Sequence, residues 1–189
     1  MIHMERVRCF IAVDFNEETK AALSRVQHDT LKLEELKSVK AVSTSTLHVT
    51  FNFLGETTRA EVEDINAALS SVSFHPFCVT LNGLGALPSV NKMRVIYVGF
   101  TPLDDMVGLS SQIEAALPKE YRSNRTFNPH VTLARVKKRI PSELQLLAGS
   151  IQKSATTEVA RCNIDSFRLK KSTLTPRGPI YETLGEFPL

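Results

Sequence analysis

The feature that most constrains this chain is a tripeptide written twice. His48-Val49-Thr50 lies inside LHVTFNFLG, and His130-Val131-Thr132 lies inside FNPHVTLARV. Around the first copy Leu47, Val49, Phe51 and Phe53 alternate with His48, Thr50 and Asn52. Around the second, Val131 and Leu133 alternate with His130, Thr132 and Ala134. A period of two marks a strand with one apolar face. Each His then shares the other face with its Thr, about 7 Å further along the strand. Two such strands side by side would present two imidazoles and two hydroxyls to one cleft.

The chain around these strands follows one layout twice. Residues 7–15 (VRCFIAVDF) read as a buried strand, and Asn16 as the N-cap of a helix with Glu17 and Glu18 in its first turn. A short strand near Ala41 and Val42 leads to the first His strand, 47–54, which the pattern ends at Gly55. Thr57 or Thr58 caps a second helix carrying Val62, Ile65, Leu69 and Val72, and strands come next at 77–86 and 93–100. Pro102 opens a third helix, the second His strand covers 129–136, and Pro141-Ser142 starts a fourth helix. Two strands close the chain, at 156–170 and at 179–185 after the turn Pro176-Arg177-Gly178. Strands paired without crossovers predict antiparallel sheets, hence an α+β fold of two similar lobes forming one domain over residues 1–189.

Composition narrows the class. With 42% hydrophobic and 23% charged residues the chain reads as an ordinary globular protein. No segment approaches the roughly 20 apolar residues of a membrane span, and no signal-peptide pattern opens the chain. Cys9, Cys78 and Cys162 form no CxxC and read as small core residues in a reducing cytoplasm. The net charge is only +3, but Lys119 to Arg139 holds seven basic residues against Glu120 alone. A second basic run extends from Arg161 to Arg177. Such flanks suit an anionic partner, with the loop 119–126 favouring RNA, although a charge run is as often only a solvated face.

Histidine gives and takes protons near neutrality, so two imidazoles across a P–O bond can act as acid and base. The Thr50 and Thr132 hydroxyls can bond phosphate oxygens. A lone strand His is ordinarily a surface or satisfied core residue. The same tripeptide at matching places, each with its Thr, argues against that. Two His without a nearby carboxylate or Cys make a poor zinc site. His3, His28 and His75 read as incidental, and Tyr97 and Arg94 as structural. By parity Phe53 packs in the core beside Phe51. Arg135 turns away from the cleft unless the strand ends or bulges. No GxxxxGK or GxGxxG loop and no KxDG lysine motif occurs, so neither a nucleoside triphosphate nor a dinucleotide site is indicated.

These residues resemble the two-histidine (2H) phosphoesterases, and within them the LigT-like RNA 2′,3′-cyclic phosphodiesterases, also known as the 2′-5′ RNA ligase family. The signature, His-x-Thr-x flanked by apolar residues and written twice, matches both copies. The likeness extends over LHVTFNFLG, MRVIYVG, FNPHVTLAR and LTPRGPIYETL, with Met93 standing where many members have Pro. It implies a bilobal α+β fold, its antiparallel lobes related by a pseudo-twofold axis, with helices outside and a central cleft. It implies hydrolysis of RNA 2′,3′-cyclic phosphate ends to 2′-phosphates without metal or other cofactor, and reversible ATP-independent 2′-5′ joining. His48 becomes the general acid and His130 the general base. Thr50, Thr132 and Arg135 hold the phosphate, and Phe53 stacks on the terminal base, against the parity reading of both Phe53 and Arg135. The partners implied are RNA ends, tRNA fragments among them, with a monomer acting in the cytoplasm. The rival expectations are a non-catalytic RNA-end binder and a 2H enzyme for another cyclic phosphate or a 2′-5′ linked nucleotide.

Overall fold

A computed structural model describes residues 6–176 and 178–189. His3 and Arg177 lie outside the described residues. Among the described residues nine strands and four α-helices run in order: β1 (Val7–Asp14), α1 (Glu17–Arg25), β2 (Val39–Ala41), β3 (His48–Thr57), α2 (Arg59–Leu69), β4 (Phe77–Leu87), β5 (Val95–Thr101), α3 (Asp104–Ala116), β6 (Val131–Val136), α4 (Pro141–Lys153), β7 (Glu158–Ile164), β8 (Ser166–Thr175) and β9 (Gly178–Pro188). Local chemistry accounts for the helix starts. The Thr19 amide donates to the Asn16 side chain at 2.8 Å. The Thr58 hydroxyl takes the Glu61 amide, while the Glu61 carboxylate takes the Thr58 amide, a reciprocal cap. Pro141 stands in the first turn of α4, where its missing N–H leaves no bond unmade. The third helix starts at Asp104, two residues later than its proline suggested, with Asp104 and Asp105 at its positive end.

The strands form one antiparallel sheet in the order β7-β4-β5-β6-β3-β1-β8-β9, with β2 also pairing β6. It reads as two four-stranded halves meeting at β6 and β3. The half β7-β4-β5-β6 comes from residues 77–164, whereas the other joins strands from both ends of the chain. The strand pair β4–β5 joins β6, whereas β8–β9 joins β1 and β3. The repeat seen in the sequence is thus exchanged between the halves. A single hydrophobic core runs from Ile11 and Leu23 through Ile96 and Leu109 to Phe167. Cys9 and Cys162 are buried in it, but Cys78 faces out, contrary to the reading of all three as core residues.

Three of the departures from the pattern-based boundaries bear on how the sheet and site are built. The strand expected over 156–170 is two, parted at Asp165, where burial shifts parity between Ile164 and Phe167. β7 then pairs with β4, and β8 with β1 at the other half. The first His strand does not stop at Gly55. Gly55 takes φ +80°, open to glycine, and β3 continues through a bulge to Thr57. The second His strand begins at Val131, so His130 stands at its mouth.

Two further bulges position the site. Opposite β1, Ile11 pairs with Asn52 but Ala12 pairs with Thr50, so Phe51 is an extra residue in β3. Opposite β5, Tyr97 pairs with Thr132 but Ile96 pairs with Ala134, so Leu133 is extra in β6. Each insertion flips the parity of every later residue in its strand. The faces therefore run His48, Thr50, Phe53 and His130, Thr132, Arg135. Buried amides brace these irregular stretches. Asn52 Nδ2 donates to the Tyr121 carbonyl at 2.8 Å, and Gln27 Nε2 donates to the carbonyls of Val42 and Leu133, each at 2.8 Å. Replacing Gln27 by Met should lower stability by about 1–3 kcal/mol, because the Val42 carbonyl loses this donor and the Leu133 carbonyl keeps only the Val42 amide. A urea midpoint unchanged from the wild type, at equal m-value, would contradict this bracing role.

Candidate active site

β3 and β6 share one registered pair, Val49 with Val131, both fully buried. Beyond it the edge of β6 passes to β2, through Ala41 with Ala134 and Val39 with Val136. The antiparallel register around the seam sets His48 across from Thr132 and Thr50 across from His130. The two histidines are then diagonal neighbours, about 7–8 Å apart by strand geometry. That spacing leaves room for one tetrahedral group between the rings.

Both rings are held alike. His48 Nδ1 lies 2.7 Å from the carbonyl of Thr46, and His130 Nδ1 lies 2.8 Å from the carbonyl of Asn128. A carbonyl only accepts, so each Nδ1 carries the proton and Nε2 is the nitrogen left to exchange one. The same interval of two residues serves both rings.

Their surroundings differ. His48 packs against Phe10 at 5.2 Å and edge-on to Tyr181 at 5.3 Å. Burial pushes its imidazole below the usual 6.5. The Thr46 carbonyl and the Asp14 charge oppose that shift, whereas Lys170 and Arg135 add to it. Behind it, Asp14 accepts from Lys170 at 2.5 Å and from Arg168 at 3.2 Å. Burial also raises the Tyr181 phenol, which stays neutral at pH 7. His130 meets the edge of Tyr97 at 5.4 Å.

A cavity of about 1400 Å³ runs past both rings. Its lining includes His48, Thr50, Phe53, His130, Thr132 and Arg135, so all six residues singled out in the sequence share one wall system. The parity reading of Phe53 and Arg135 fails for one physical reason, the bulges at Phe51 and Leu133. Phe53 is 73% exposed rather than packed in the core. Sequence reasoning missed Phe10 and Tyr181, and it read Tyr97 as structural. Aromatics directly beside the His strands were the available signal for Phe10 and Tyr97. Tyr181 comes from β9 and gave no such signal. His28, read as incidental, also lines the cavity, where it pairs with Glu34. His75 lies apart, beside Asp105.

The charge runs are redistributed. Arg122 donates to the carbonyls of Leu117 and Ala115, finishing α3, and no residue of the basic loop 119–126 lines the cavity. In the second run Arg161, Arg168, Lys170 and Lys171 all pair with carboxylates. Among the described residues no three His, Cys, Asp or Glu side chains gather as a metal-binding group.

The sequence model of the family described as LigT like phosphoesterase matches residues 13–97 and 104–181. The RNA 2′,3′-cyclic phosphodiesterase of Archaeoglobus fulgidus is 32% identical over 182 residues, covering 96% of this chain and 99% of that protein. Its namesake from Methanothermobacter thermautotrophicus is also 32% identical, covering 97% and 100%. Among solved structures, a Thermus thermophilus protein aligns with TM-score 0.79 at 27% identity, over 96% of this chain and 97% of that one. Escherichia coli LigT in its apo form aligns with TM-score 0.78 over 98% of both chains. At 20% identity that second match is a likeness of fold.

In the free protein the His48 ring should titrate below 6.5, and Arg135→Gln should raise its pKa by removing a neighbouring positive charge. The linked stability has a definite sign: the contribution of His48 is intact above pH 6.5 and is lost as pH falls through its folded pKa. NMR titration of the ring resonances checks both. A midpoint at or above 6.5 in the wild type would contradict the burial account.

Proposed function

The chain belongs to the LigT-like phosphoesterases, and from that premise we propose that it opens the 2′,3′-cyclic phosphate ends of RNA to 2′-phosphates through His48 and His130, without a metal ion. The observation that carries this reading is the matched pair of Nε2 atoms, each freed by a carbonyl on Nδ1 and facing one cleft across the Val49–Val131 seam. The names of the curated relatives support the substrate.

Water attacks phosphorus while His130 Nε2 takes its proton. The bond from phosphorus to the 3′ oxygen breaks, its electron pair stays on that oxygen, and His48 Nε2 protonates it. The product carries a 2′-phosphate and a free 3′-hydroxyl. One proton has passed from His48 to the leaving oxygen and another from water to His130, and exchange with solvent restores both rings. His48 is neutral in the free protein at pH 7, so its role as acid draws on the substrate. A phosphodiester anion beside the ring opposes the lowering by burial and favours imidazolium. Thr50 and Thr132, each across the seam from the opposite histidine, bond the non-bridging oxygens, and Arg135 neutralises their charge. Phe53 offers its exposed face to the terminal base. With an RNA 5′-hydroxyl in place of water, His130 would take the hydroxyl proton and His48 would again protonate the departing 3′ oxygen, forming a 2′-5′ linkage from a cyclic phosphate with no triphosphate consumed.

His48→Ala and His130→Ala should each lower kcat on a 2′,3′-cyclic nucleotide by at least about 10² while the circular dichroism spectrum stays native. Activity should survive excess EDTA and give a bell-shaped pH profile. Full turnover in either variant sinks the acid–base pair, turnover by neither variant nor wild type leaves an RNA-end binder, and loss with EDTA brings back a metal. Phe53→Ala should weaken nucleotide binding by about 1–3 kcal/mol, seen as a raised KM. An unchanged KM would remove the stacking role.

A further inference from the structure

Several cations of this protein are paired with carboxylates. Lys20 pairs with Glu17, Arg8 with Glu56, Arg59 with Glu63, Lys171 with Glu182, and Lys170 and Arg168 share Asp14. Three further cations stand together on one cavity wall. Lys40 of β2 stands in register with Arg135 of β6, and Lys137 comes two residues after Arg135, bonded through its amide to the Ser38 carbonyl at 2.7 Å. All three side chains are exposed and line the cavity that holds the histidines. Among the described residues none of the three has a carboxylate within ion-pair distance. Among those residues Glu34 carries the one carboxylate of the cavity lining, and His28 engages it.

Like charges placed directly opposite on neighbouring strands destabilise a sheet. Here such a pair persists with no internal counter-ion among the described residues, in a cleft wall, continuing the line His130, Thr132, Arg135. Two residues of strand advance about 6.6–6.8 Å, similar to the step between successive phosphates of an extended single strand. The opposite wall is of another kind. Phe53, Leu174 and Ile180 are exposed apolar side chains, with Tyr181 and Phe10 beneath.

We propose that Lys40 and Lys137, with Arg135 at their head, form a phosphate track that carries an RNA strand beyond the reacting phosphate, so that the enzyme distinguishes a polynucleotide end from a cyclic mononucleotide. The proposal rests on the RNA reading above. The apolar wall receives the terminal base, and the basic wall receives internucleotide phosphates. The strand on the track is either the one ending in the phosphate or one that begins with a 5′-hydroxyl, since both bring the same chemistry to the lysines.

The test compares wild type with Lys40→Gln/Lys137→Gln, changes at exposed positions that leave His48, His130 and Arg135 in place. Fluorescence anisotropy reads binding of two labelled octaribonucleotides, one ending in a 2′-phosphate and one bearing a free 5′-hydroxyl, over a range of salt. Turnover of a 2′,3′-cyclic mononucleotide is measured in parallel. Each lysine should contribute about 0.7 to the log–log salt slope, so the double variant should lose about 1.4, or roughly twentyfold in affinity at about 0.1 M salt. Mononucleotide kcat/KM should be unchanged. A loss confined to one probe assigns the track to that strand. Equal affinities and slopes in variant and wild type for both probes would overturn the proposal even if mononucleotide turnover is normal. Lysine-dependent RNA binding without cyclic phosphate opening would instead overturn the hydrolytic reading and leave the track standing.

Discussion

The architecture depends on how little β3 and β6 share. One registered pair, Val49 with Val131, joins two four-stranded halves. A longer ladder would have closed the sheet over the residues beyond it. Instead β3 leaves the edge of β6 at once and β2 takes it over, so the halves part and a cleft opens on the polar face of the seam. Buried valines hold the contact from below. The two histidines and two threonines stand above it in a crossed arrangement that the antiparallel register alone dictates.

The second constraint is the pair of bulges. Without the extra residues Phe51 and Leu133, the side chains five positions after each histidine would point into the core. With them, an aromatic ring and a guanidinium arrive on opposite sides of the same cleft. The halves thus use one backbone device for different chemistry, Phe53 in one and Arg135 in the other. Buried amide side chains, Asn52 and Gln27, satisfy carbonyls near these irregular stretches, as interior backbone requires. Asymmetry extends to the rings. His48 sits between Phe10 and Tyr181, with Asp14, Lys170 and Arg168 behind it, whereas His130 opens toward the wall that bears the basic row.

Much of this was legible in the residues. Alternation around the doubled tripeptide gave both strands and the shared face of His and Thr, and capping chemistry gave the helix starts at Asn16 and Thr58. What parity could not give was a break in parity. A bulge adds one residue without leaving a mark in composition, so the family resemblance placed Phe53 and Arg135 on the cleft where periodicity turned them away. The exchange of strand pairs between the halves was likewise hidden, because pairing partners far apart in sequence are set by topology. Charge was a mixed guide: Arg135 and Lys137 of the first basic run line the cleft, but most of the other cations in the two runs do not. Arg122 finishes a helix and Arg168 neutralises a carboxylate, while Lys40, in no basic run, lines the cleft.

The central claim is that two ring nitrogens from distant segments address one phosphorus centre from opposite sides. A crystal structure with vanadate and a ribonucleoside bound as a transition-state mimic tests it most directly. The account predicts His48 Nε2 and His130 Nε2 each within about 2.6–3.2 Å of a different apical oxygen, with both Nδ1 bonds to backbone carbonyls retained. A mimic contacted by only one of the two rings, or bound away from the seam, would contradict it.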